Sequence, residues 1–165
     1  MKTSDIAKIS VIGALVTIAT MLFQIPSPAT KGYINLGDTF IFVGSILLGG
    51  KSGFLLGGIG SALADILSGY AHWAPFTLVI KGLEGYIAGF AQPFYNRERA
   101  NYSFIIIIFM ISAFIMVAGY FVTEIIMYGI AAAFAELGGN LFQGGASIVL
   151  ALLIIIGLKK VGVKI

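Results

Sequence analysis

Cysteine is absent from this chain, and histidine occurs once in 165 residues. The first absence excludes disulfides, iron–sulfur clusters, thiol nucleophiles and Cys-built zinc sites. One histidine is too few for the usual zinc catalytic sets, so no metal site is expected. Charge is nearly as scarce: Asp, Glu, Lys and Arg make up 10% of the chain, against 59% hydrophobic residues. A water-soluble domain carries about a quarter charged residues, so this composition describes a membrane protein. The formal charge of +3 is small and scattered, which excludes a nucleic-acid surface. Phosphate-binding and hydrolytic motifs are missing too. Gly49-Gly50-Lys51-Ser52 supplies a GKS without the upstream glycine of a P-loop, and neither HExxH nor GxSxG occurs. The chain is therefore read as no enzyme, with no catalytic residues and no cofactor of its own.

What is present is a series of apolar runs. At roughly 25 residues per span and loop, the length allows about six transmembrane helices. The runs predict an all-α, single-domain bundle over 1–165 with spans near 6–25, 38–50, 54–69, 76–91, 102–128 and 139–158. Lys2 and Lys8 flank the first run as they would in a secretory signal, but the run is long, lacks a small-x-small site and is followed at once by further spans. Pro26 and Pro28 stop it. Lys2, Lys8, Lys51, Arg97, Arg99, Lys159, Lys160 and Lys164 then fall on one side, and only Lys31 lies in an opposite loop. The positive-inside rule places both termini in the cytoplasm and makes 26–37, 70–75 and about 129–138 the external loops.

Ionisable groups inside a span cost at least about 2.5–3.5 kcal/mol each, so each needs a reason. Asp38, Asp65, Lys81, Glu84 and Glu124 stand at or within helices. Counted along the helices, Asp65 lies about 6 Å below the outer end of its span, Lys81 and Glu124 roughly 9 Å, and Glu84 about 13 Å. Asn140 and Gln143 stand near the outer start of the last span. The inner halves are almost purely apolar, whereas a pore needs polar groups along its whole path. The pattern describes a polar bowl open to the outside and closed by an apolar floor. Each group also has a structural explanation. Lys81 and Glu84, three apart, can neutralise each other. Asp65 can bond backbone or Ser68, and Asp38 can be a helix N-cap. Glu124 needs a tertiary partner, for which Lys81 is the candidate. Tyr33, Tyr70, His72 and Trp73 can either lid the bowl or form the interfacial aromatic belt. Ala7, Ser10, Ala14 and Thr17 make a small-residue stripe on the first span, suited to a partner helix or to internal packing.

Three stretches then point to a family. Gly32-Tyr33-Ile34-Asn35-Leu36-Gly37-Asp38, Gly49-Gly50-Lys51-Ser52-Gly53, and Gly57 through Gly60-Ser61-Ala62-Leu63-Ala64-Asp65 to Gly69 resemble the S components of energy-coupling factor (ECF) transporters. The resemblance implies a six-helix subunit of a prokaryotic plasma membrane that binds a vitamin or vitamin precursor from outside. It implies as partners a transmembrane coupling subunit and two ABC-type ATPases that use the ATP, with Ala7, Ser10 and Ala14 on the docking surface. The branch it is most similar to handles pyridoxine, hydroxymethylpyrimidine or riboflavin-like compounds. On that reading Trp73 and Tyr33 stack on a heterocycle. Asn35, Asp38, Asp65 and Glu124 accept its hydrogen bonds, and Lys81, held by Glu84, orients a ring heteroatom. His72, Asn140 and Gln143 complete the candidate set. A stand-alone facilitator and a membrane enzyme using Glu84, Glu124 and His72 are the competing readings; no recognisable catalytic spacing links those three.

Overall fold

The computed structural model describes residues 2–162; Lys164 lies outside them. The architecture is helical with one small hairpin. Helix α1 spans Thr3–Leu22 and is followed by strands β1 (Ile25–Ser27) and β2 (Gly32–Ile34). Then come α2 (Asp38–Leu48), α3 (Gly50–Leu67) and α4 (Ala74–Ala88), a 3-10 turn at Gly89–Ala91, and the short α5 (Gln92–Tyr95). Two long helices, α6 (Tyr102–Tyr128) and α7 (Ile130–Lys160), end the chain. Among the described residues, α1, α6 and α7 are long and apolar enough to cross a bilayer.

Several expected boundaries shift. The first helix ends at Leu22 rather than Ile25, because Ile25 pairs with Ile34 to open the antiparallel hairpin inside the expected loop 26–37. α4 starts at Ala74, and Pro75 occupies its first turn, where a missing N–H costs nothing. The largest correction concerns 129–138, expected as a loop. Gly129 alone breaks the chain there: its φ of 87° is open to glycine, its N–H caps Ile125 O at 3.0 Å, and α7 begins at the next residue. The pair Gly138-Gly139, at the expected start of the last span, lies well inside α7. A Cβ on Gly139 would come 2.4 Å from Ile34 Cδ1, so the glycine admits the hairpin.

Packing follows the glycines. α3 and α4 make the most extensive helix–helix contact, followed by α6 with α7 and α1 with α3. Gly53 and Gly57 of α3 abut the backbone carbonyls of Gly85 and Lys81 in α4, so the helices run antiparallel at backbone contact. At the end of the bundle holding α5, Phe42, Ile46, Tyr95, Ile105, Phe109 and Ile155 form the main apolar core, with Phe42 stacked on Phe109. Lys159 closes that end by donating to Tyr95 O and Arg97 O. The hairpin, the Tyr70–Trp73 turn and the α6–α7 corner gather at the opposite end.

Candidate functional site

Between the hairpin and the apolar core lies a small polar cavity of about 30 Å³, open at its mouth. Helical spacing builds its walls. Ser61 and Asp65 come from α3, Thr77 and Lys81 from α4, Tyr120 and Glu124 from α6, and Glu136, Asn140 and Gln143 from α7. Thr20 enters from α1, while Thr30, Gly32, Tyr33 and Asn35 come from the hairpin and its exit, and Trp73 from the turn before α4.

Lys81 is the centre of the electrostatics. Its ammonium is fully buried and pairs with Asp38 and, at 3.2 Å, with Glu84. Asp38 also accepts from Gln143 Nε2 at 2.9 Å, and Gln143 Oε1 takes the Asn35 N–H at 2.8 Å. Asp38 and Glu84 therefore stand behind Lys81 and do not line the cavity. A buried ammonium held by two carboxylates, one of them held in turn by the Gln143 amide, has its position fixed by geometry, since any displacement strands a charge.

The expected roles divide accordingly. The Lys81–Glu84 pair forms, while the Lys81–Glu124 pair does not: Glu124 Oε1 accepts from Asn140 Nδ2 at 3.1 Å, and Asp38 takes the lysine instead. The N-cap of α2 is Gly37, not Asp38, and Asn35 Oδ1 receives the Gly37 N–H at 2.9 Å. Asp65 bonds the Tyr33 hydroxyl rather than Ser68, which accepts from Gln24. Burial and the adjoining Asp65 carboxylate push the Tyr33 hydroxyl above its ordinary value, so it remains a donor. Trp73 is 4% exposed, its ring lying 5.9 Å from Tyr120 and 5.8 Å from Tyr128. His72 is exposed, 3.0 Å from the Tyr128 hydroxyl, and outside the lining. Tyr70 packs on Tyr33, 4.7 Å between centroids, as part of the hairpin's support.

Sequence reading missed Ser61, Thr77, Tyr120 and Glu136. Each stands four residues before one that was found, namely Asp65, Lys81, Glu124 and Asn140. The i, i+4 rule applied to the polar positions is the signal that finds them. Glu136 was hidden further because its segment read as a loop. Thr20 and Thr30 carry no comparable signal.

The other expected surface also has a shape. Ser10, Ala14 and Thr17 line a shallow, mostly apolar groove of about 400 Å³ between α1 and α3, with Gly13, Ile59 and Leu63. Ala7 is exposed but does not line it. Thr17 Oγ1 donates to Gly60 O at 2.8 Å, pinning the two helices at the groove's base.

A small helical membrane protein with a polar cavity under a hairpin, over an apolar core, is a ligand-binding bundle. A family model described as the ECF-type riboflavin transporter, S component, matches residues 1–160. The chain belongs to the ECF S components. It is 31% identical over 155 residues to the thiamine precursor transporter HmpT of Lactococcus lactis subsp. cremoris, covering 92% of this chain and 87% of that one. It is 41% identical over 135 residues to an uncharacterised protein of Pyrococcus woesei, covering 82% and 88%. The solved structure of a bacterial ECF transporter S component shares the fold, with TM-score 0.71 over 97% of this chain and 98% of that one, at 15% identity.

Proposed function

We propose that this chain captures a small vitamin precursor, hydroxymethylpyrimidine or pyridoxine in preference to others, at the cavity around Lys81. The observation that carries the reading is the polar cavity set over an apolar core: polar side chains from several helices and the hairpin converge on one space, with no continuous polar path through the bundle. The relation to HmpT supports the hydroxymethylpyrimidine choice. The description of the matching family favours riboflavin as the second reading.

In this proposal α1, α2, α3, α4, α6 and α7 cross the membrane, the hairpin end faces outside and both termini face the cytoplasm of a prokaryotic cell. Lys51, Arg97, Arg99, Lys159 and Lys160 at the other end support that orientation. The α1–α3 groove, with Ala7 at its edge, is where a helix of the transmembrane coupling subunit docks. Two ABC-type ATPases bound to that subunit hydrolyse the ATP, and this chain binds no cofactor.

A thermal-shift screen of the purified protein against B vitamins and their precursors tests the reading. Stabilisation by hydroxymethylpyrimidine or pyridoxine is expected. Stabilisation by riboflavin alone selects the second reading, and no response to any of them overturns vitamin capture. Uptake by liposomes holding this chain without ATPases would favour the facilitator.

A further inference from the structure

Among the described residues lining the cavity, the charges do not balance. Lys81 is the one cation there, and Asp38 and Glu84 already engage it from behind. Asp65, Glu124 and Glu136 face the same space with no cation of their own. Asp65 is partly served by the Tyr33 hydroxyl, and Glu136 Oε2 by the Ser27 hydroxyl. Asp65 and Glu124 each keep one buried carboxylate oxygen, Oδ2 and Oε2, with no hydrogen-bond partner. Glu124 is 2% exposed, and Asn140 occupies its Oε1. Across the lining, Trp73 Nε1 is a buried donor without an acceptor. An uncompensated buried carboxylate is costly, so a site that retains one is built for a ligand that supplies donors or positive charge.

Resting on the vitamin-capture reading, we propose that the cavity prefers an uncharged or cationic nitrogen heterocycle bearing an exocyclic amino group to one bearing only hydroxyl groups, and rejects anions and heterocycles that present an oxo group in the amino position. Glu124 Oε2 takes an N–H of the ligand, Glu136 supplies the adjoining negative charge, and Trp73 Nε1 donates to a ligand acceptor. Lys81 is held by its own carboxylates and keeps the floor of the site from becoming still more acidic. Glu124 and Glu136 are thereby specificity-determining residues, on different helices but on one wall. An oxo group at the amino position would set a lone pair against the ionised Glu124 carboxylate, with no proton between them.

Isothermal titration of the full chain in detergent tests this with four probes: hydroxymethylpyrimidine, its oxo counterpart, pyridoxine and riboflavin. The amino compound is expected to bind at least about 100-fold more tightly than its oxo counterpart, as at sites built around a ligand N–H or O–H. Glu124→Gln exchanges the acceptor for an amide at constant shape, and is expected to weaken amino-compound binding by about 10- to 100-fold. Glu136→Gln should weaken it less, and Trp73→Phe should weaken it while keeping the ring. Wild-type selectivity needs no variant to fold, so it decides the matter on its own. Equal or tighter binding of the oxo compound, pyridoxine or riboflavin overturns this inference and leaves vitamin capture standing. Binding of none of the four overturns both.

Discussion

Gly53 of α3 and Gly85 of α4 sit so close that a Cβ on either would lie 2.3 and 2.2 Å from the other's carbonyl oxygen. No real Cβ occupies such a position, so the helices must part if either residue gains one. Gly53→Ala and Gly85→Ala are each expected to cost about 1–3 kcal/mol, the usual range for an overpacked interior. Gly145 has nothing within 4 Å of its Cβ position, and Gly145→Ala serves as control with no loss. Thermal unfolding in detergent reads both, and equal midpoints for all three variants would refute the backbone contact.

Lys81→Met keeps the length of the side chain and removes its charge. Asp38 and Glu84 then lose their common cation in a site closed to water. The expected destabilisation is about 3–5 kcal/mol, as when one partner of a buried pair is removed. Adding Asp38→Asn to Lys81→Met should recover part of it, because a lone buried charge is removed with its partner. A double variant less stable than Lys81→Met alone would contradict the pairing.

Tyr33 sits in the hairpin, and its hydroxyl is held above the ordinary value of 10.0. The unfolded chain loses this proton first as pH rises past that value, so the folded state, which keeps it, loses stability there. Below pH 10 the tyrosine contributes no pH dependence. Comparing Tyr33→Phe with the parent between pH 8 and 11 isolates the effect: the variant should lose less stability above about pH 10. Parallel curves would contradict it.

Ala14→Trp fills the groove between α1 and α3 without reaching the cavity under the hairpin. Co-purification with the coupling subunit should fail, while the thermal shift given by the bound vitamin precursor is unchanged. Intact assembly in Ala14→Trp would remove the groove from the docking surface, and lost ligand response would place it in the binding site.

Much of the site was legible because burying charge in an apolar helix is expensive. Asp65, Lys81, Glu124, Asn140 and Gln143 stood out against their segments, and all five line the cavity. Pairing was not legible. Lys81 has Glu84 three residues away, yet its second carboxylate is Asp38, whose distance along the chain says nothing of distance in space. The last span was expected to open near Gly138-Gly139 rather than at Ile130, and the Ile34 side chain that presses on Gly139 is not visible in the sequence. The hairpin was missed for another reason: strands of three residues are too short to show an alternating pattern.

The amino-acid sequence by itself determined that this chain belongs in a membrane, that its polar groups cluster toward one end, and that it carries no thiol chemistry. These follow from composition and one-dimensional spacing, because solvation cost depends on residue type and on position along a helix. Only the tertiary structure decided which charges neutralise one another and which are left facing the cavity. Asp38 and Glu84 form ion pairs with Lys81, whereas Asp65 Oδ2, Glu124 Oε2 and Trp73 Nε1 are left without a partner. That distinction depends on which helix faces lie within about 3 Å of each other, a property of packing that no single segment contains.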